Sequence, residues 1–82
     1  MKRYRKKPID IEAVQYNGQL DGYETICDWA YPTEITANDG DLLILSDAGR
    51  LRAKKGDWVI RVLDTGFFYP IKDTVFKEFY IE

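Results

Sequence analysis

Eight side chains in this sequence have the type and spacing to hold an anionic, aromatic ligand: Arg3, Tyr4, Arg5, Arg50, Arg52, Lys54, Arg61 and Tyr69. A guanidinium forks onto phosphate through two parallel hydrogen bonds, and a phenol ring stacks on a base, so the two residue types together suit a nucleotide. Arg3 and Arg5 flank Tyr4 within Lys2–Lys7, where five of the six residues are basic. Arg50, Arg52 and Lys54 alternate with Leu51 and Ala53, which would put three cations on one face of a strand, with Lys55 beside them. Arg61 stands between Ile60 and Val62 and so points from the opposite face of its strand, toward water or a partner. The competing reading of a cationic strand face is a solvated surface that discourages edge pairing.

Covalent and metal chemistry have little to work with. The chain has no histidine, which removes the usual general base and metal ligand. Cys27 is the single cysteine, so no disulfide forms within the chain and no nitrogen and sulfur ligand set for zinc exists. It falls on the apolar stripe of a helix, where a small core residue is expected rather than a reactive thiol. The close carboxylate pairs Asp10/Glu12 and Asp39/Asp41 fall on strand or turn positions where solvated charge is routine, and Ser46 has no base beside it in sequence. Lys55-Gly56-Asp57-Trp58-Val59 lacks the repeated glycines and following helix of a phosphate loop. The expectation is a non-enzymatic protein with no catalytic residue, no metal and no cofactor.

Charge is unevenly placed. The net value is −2, from 12 basic and 14 acidic residues, but five of the basic ones lie in the arm of residues 1–7. The arm is therefore +5 and the body −7. Such a body repels a polyanion, so duplex nucleic acid is disfavoured. The arm has a complementary surface available on its own body or on a second copy. With 82 residues, a single domain of this size is marginally stable alone, and a homo-oligomer is expected. No stretch approaches the roughly 18–20 apolar residues of a membrane span. No apolar segment follows the basic start, so a secretory signal is not expected, and a lone thiol fits a reducing cytoplasm.

The elements that must position these residues read as α+β. Ile9, Ile11 and Ala13 alternate with Asp10 and Glu12 as a strand, with Val14 and Tyr16 on the other parity. Tyr23, Ile26, Cys27, Ala30 and Tyr31 share one face of a helix near residues 22–31, with Asp21 as its cap and Pro32 as its stop. Strands follow at residues 34–37, 42–45, 50–54, 58–63 and 67–71, joined by turns at Asn38-Asp39-Gly40, Ser46–Gly49, Lys55-Gly56-Asp57 and Asp64-Thr65-Gly66. The apolar run Leu42–Leu45 predicts a strand buried on both faces or at a packed centre. Pro70 points to an edge strand or a strand end. Asp73 caps a short C-terminal helical turn, and Tyr80-Ile81 closes as a last strand. The predicted architecture is a small curved antiparallel sheet of about five to seven short strands, covered on one side by the helix. Its core comes from Leu42–Leu45, Leu51, Trp58–Leu63 and the C-terminal aromatics.

Three motifs resemble a group of small bacteriophage and prophage proteins. These are the opening Tyr4–Ala13 (YRKKPIDIEA), the turn Gly56-Asp57-Trp58, and the tail Phe68-Tyr69-Pro70 with Phe76 and Tyr80. The likeness covers both ends of the chain and leaves Gly18–Leu51 unmatched. Lys55 stands where the group has proline before Gly-Asp, which loosens the turn, and Asp73 stands where its tail has proline. The resemblance carries over no catalytic or binding residues. It implies a phage-encoded accessory protein in the cytoplasm of a bacterial host, binding a host component. The most concrete version is counter-defence, in which a homo-oligomer sequesters a nucleotide signal between Arg and Tyr side chains. A direct inhibitor that docks on a host protein, and a structural or assembly protein of the virion, are the other two readings.

Overall fold

The computed structural model describes Lys2 and residues 9–80. The arm residues Arg3, Tyr4 and Arg5 lie outside the described residues, as does Ile81. The element order is β1 (Ile11–Gln15), α1 (Leu20–Ala30), β2 (Ile35–Asn38), β3 (Asp41–Ser46), β4 (Gly49–Ala53), β5 (Trp58–Val62), β6 (Phe68–Ile71) and α2 (Asp73–Phe79). The class is α+β and antiparallel, as the sequence predicts. The strands are divided between two three-stranded sheets, β1-β5-β6 and β2-β3-β4. The division arises because β5 turns away from β4 and pairs with β1, Ile11 opposite Val62 and Gln15 opposite Trp58. β2, β3 and β4 thus form an inserted meander. Pro70 sits in the edge strand β6, where its missing N–H costs no ladder bond.

Turn chemistry sets the meander. Asp39 and Gly40 both take positive φ, 51° and 81°, which is the twist a two-residue hairpin needs between β2 and β3. Gly49, with φ 104°, opens β4 after the Asp47-Ala48 turn. The β4–β5 turn is closed twice: Asp57 N–H donates to the Lys54 carbonyl and Lys54 N–H to the Asp57 carboxylate, each at 2.9 Å. Lys55 lies within this turn. Its stem lies so close to Gly18 that a Cβ there would be 2.9 Å from Lys55 Cγ.

α1 begins one residue before Asp21, with Gln19 in the N-cap position and no cap from its side chain. Asp21 is therefore not the cap. Asn17 braces the chain ahead of the helix: its Oδ1 accepts Gln19 N–H at 2.9 Å and its Nδ2 donates to Asp21 Oδ1 at 3.1 Å, while Asp21 Oδ1 accepts Gly22 N–H in the first turn at 2.8 Å. The helix buries Ile26 and Ala30 and half-buries Tyr23, Cys27 and Trp29, while Tyr31, past its end, is 83% exposed. Tyr31 accordingly leaves the predicted stripe, because the stripe ends where the helix does.

The largest fully buried side chains are Ile26 of α1, Leu42 and Ile44 of β3, and Val59 of β5. Each contributes about 1.5–3 kcal/mol by leaving water, so the strongest contributions bind α1 to both sheets. Leu43 is half-buried and Leu45 is 45% exposed, so of the two placements the sequence allowed, β3 takes the packed centre and is not buried on both faces. Although β3 is central in its sheet, no element among the described residues covers its outer face. β5 is covered on both faces. Val59 joins the main core, whereas Ile60, 3% exposed, faces the side where the Trp58 ring stacks on Phe76 of α2 at 4.0 Å. Of the C-terminal aromatics Phe68 enters the main core, but those of α2 and beyond do not: α2 buries no residue, Phe79 is 65% exposed, and Tyr80 is not in a strand but stacks on Phe76 at 5.4 Å. Asp73 is the first residue of α2 and Lys72 its N-cap. The Asp73 carboxylate accepts the Trp58 indole N–H at 2.8 Å and pairs with Lys77 at 3.0 Å.

Candidate functional site: an apolar groove with an acidic rim

The seam between the two sheets opens into a groove of about 600 Å³. Three short segments line it: Pro32–Glu34 between α1 and β2, Leu45–Ala48 at the end of the β3–β4 hairpin, and Phe67–Tyr69 at the start of β6. Backbone bonds hold all three. Leu45 N–H donates to the Glu34 carbonyl at 3.0 Å, which ties the first segment to the second. Within the hairpin, Ser46 Oγ donates to the Gly49 carbonyl at 2.8 Å and accepts Ala48 N–H at 3.2 Å. The third segment is set by Val62 N–H on the Phe67 carbonyl at 3.0 Å and by Phe67 N–H on Thr65 Oγ1 at 3.2 Å.

The side chains offered here are Pro32, Leu45, Phe67 and Tyr69, with Leu45 45%, Phe67 52% and Tyr69 38% exposed. The charged residues of the lining are Glu34 and Asp47, both exposed and neither in an ion pair among the described residues. Among the described residues no cation lines the groove. Its size falls within the range of ligand pockets, and its chemistry is apolar with negative charge at the edge.

The sequence-predicted residues do not converge on one cleft. Arg50 and Arg52 lie on the uncovered face of the second sheet, opposite Leu45 and Leu43, along the edge strand β4. Arg52 is engaged by Asp41 at 2.9 Å, while Arg50 stands beside Leu45 but outside the groove lining. Lys54 follows β4 and is exposed, with its N–H spent on the turn. Arg61 does leave its strand on the face opposite Ile60 and Val62, but that face is the core side. Its guanidinium lies 5.7 Å from the Trp29 ring centre and 5.8 Å from that of Phe68, and it pairs with Glu12. Trp29 in turn meets Phe68 edge-on at 5.0 Å. Arg61 is thereby occupied as a prop behind Phe68, and its buried Nε has no partner among the described residues. Tyr69 does line the groove.

Cys27 is half-buried, and its thiol and the Tyr23 hydroxyl point at one acceptor, the Ile35 carbonyl, at 3.6 and 3.4 Å. The thiol beside it raises the Tyr23 hydroxyl pKa above 10.0. Burial, with Asp41 nearby, does the same for Tyr16. Among the described residues no group of His, Cys, Asp and Glu is arranged to hold a metal ion, and no helix is long and apolar enough to cross a membrane. Leu45, Glu34, Asp47 and Phe67 were missed from sequence because they belong to connections far apart in the chain. Exposed apolar residues flanking turns, Leu45 before Ser46 and Phe67 after Gly66, are the one signal that could have suggested them.

Compared with known proteins, the chain matches no family model, no curated sequence and no solved structure.

Proposed function

We propose that this is a non-enzymatic binding protein whose groove docks a basic, aromatic-bearing segment of a protein partner. The observation that carries the reading is the lining itself. Leu45, Phe67 and Tyr69 offer exposed apolar surface, and Glu34 and Asp47 are its charged members. Exposed aromatics in a concave site are the residues that dominate protein interfaces, and a negative rim selects cationic partners and repels phosphates. Among the functions considered from sequence, this favours direct inhibition of a host protein over capture of a nucleotide signal. The setting of a phage accessory protein in a bacterial cytoplasm is supported by the motif resemblance alone. The nucleotide reading retains one support, the exposed cations Arg50 and Lys54 at the β4 edge.

Fluorescence anisotropy of a labelled peptide of alternating Lys and Arg around one Tyr, titrated with the full chain, tests the proposal. Binding is expected, with a loss of about tenfold or more in Phe67→Asp, equivalent to about 1.4 kcal/mol. Unchanged affinity in Phe67→Asp, or no peptide binding at all, overturns it.

A further inference from the structure

We infer that the groove of one copy receives the basic arm of a second copy, so that the protein associates with itself through reciprocal arm exchange. The inference rests on the groove reading above and names an occupant for it. The first ground is charge. The arm is +5 and the remaining chain −7, and among the described residues the groove lining holds Glu34 and Asp47 without a cation. Tyr4, between Arg3 and Arg5, has the composition the groove selects: one ring for the floor made by Leu45, Phe67 and Tyr69, and a cation on either side for the two carboxylates.

The second ground is where the arm is rooted. The Asp10 carbonyl accepts Leu63 N–H at 3.1 Å, and Leu63 begins the connection that leads back to Phe67. Because β1 and β6 flank β5, the root lies about two strand spacings, roughly 10 Å, from the Phe67 backbone at the groove. Seven residues, Lys2 to Pro8, extend at most about 25 Å, enough to cross to a neighbour docked beside this end of the sheet. Lys2, at the far end of the segment, is exposed and is not part of its own chain's groove lining. An arm and a groove placed close together on each copy close into a two-fold pair when exchanged, each arm filling the other's site. A partner's basic segment would then displace the arm, and self-association and partner binding would exclude one another.

The test is sedimentation velocity on the full chain and two charge-reversed forms, Arg3→Glu with Arg5→Glu, and Glu34→Lys with Asp47→Lys. Glu34 and Asp47 are exposed, and circular dichroism checks that each altered chain still folds. The unaltered chain is expected to associate at tens of micromolar and to weaken as salt rises. Each reversed form alone should associate at least about tenfold more weakly, and an equimolar mixture of the two should associate again, because each restores the charge its partner lacks. A monomeric unaltered chain at 100 μM (a concentration on the order of what weak exchange requires) overturns the exchange, as does reversal of either element without effect. A monomer that still binds the basic peptide would sink arm exchange while leaving the groove reading intact. A monomer that binds no peptide sinks both.

Discussion

Tyr16 pins the two sheets together, and removing its hydroxyl tests the packing that forms the groove. The residue follows β1 and is 3% exposed. Its backbone is clamped to the β4–β5 turn, N–H to the Asp57 carbonyl and carbonyl from Gly56 N–H, both at 2.9 Å. Its hydroxyl crosses to the β2–β3 turn and donates to the Gly40 carbonyl at 2.8 Å. Tyr16→Phe keeps the ring and the clamp and deletes one hydrogen bond. Gly40 is exposed, so water can satisfy its carbonyl and no buried acceptor is orphaned. The cost should therefore be the net worth of one bond, about 0.5–1.5 kcal/mol, and not the larger penalty for a stranded polar group. In a domain of this size that lowers Tm by roughly 4–8 °C per kcal/mol. Urea unfolding followed by circular dichroism measures it, with an unchanged m-value. The hydroxyl also has a raised pKa, so the fold favours its neutral form. Its contribution is complete below pH 10.0, the unfolded value, and is lost as pH rises through the higher folded value. The stability gap between the native chain and Tyr16→Phe should therefore close in strong base. A variant as stable as the native chain at neutral pH, or a gap that widens above pH 10.0, refutes the pin.

Other perturbations have defined outcomes. Gly22→Ala should gain little of alanine's helix advantage of about 1 kcal/mol, because the new Cβ would fall 2.0 Å from Asn17 Oδ1 and displace the side chain that bonds Gln19 N–H and Asp21, a loss of about 1 kcal/mol. In an Asn17→Ala background the full gain should appear, and thermal melts of the four-member cycle read that difference directly. Asp73 is held below its usual 3.8 by the Trp58 indole N–H and then by Lys77, so it stabilises α2 above pH 3.8 and that support is lost as pH falls through the lower folded value. Trp58 fluorescence should report loosening of the Phe76 stack in acid. Asp73→Asn, which keeps an acceptor for the indole, should flatten the acid limb. Arg52→Ala should change stability by no more than about 1 kcal/mol, because its ion pair with Asp41 is exposed.

The elements were legible in the sequence where local chemistry decided them. The period of Ile26, Cys27 and Ala30 announced the helix, Asp39-Gly40 the hairpin, and Pro70 the edge. Alternation also placed Arg61 on the face opposite Ile60. What alternation could not say is which face met the core, because β5 is covered on both sides and each side has an apolar set. The pairing of β1 with β5 was illegible for a related reason. It is a contact across more than forty residues, decided by which sheet edges meet after the meander has formed. The groove inherits that difficulty, since residues 32–34, 45–48 and 67–69 come together only through the seam. The cationic residues were the conspicuous feature of the sequence. In the fold, Arg52 and Arg61 are answered by Asp41 and Glu12, while Glu34 and Asp47, without an ion pair among the described residues, mark the site.

Backbone amide shift mapping by NMR tests the central claim most directly. The full chain is titrated in parallel with the basic tyrosine-bearing peptide and with a panel of mono- and cyclic nucleotides. Perturbations from the peptide should cluster on Thr33, Glu34, Leu45–Ala48 and Phe67–Tyr69, with little response to any nucleotide. Shifts centred instead on Arg50, Arg52 and Lys54, produced by a nucleotide and not by the peptide, would contradict the account.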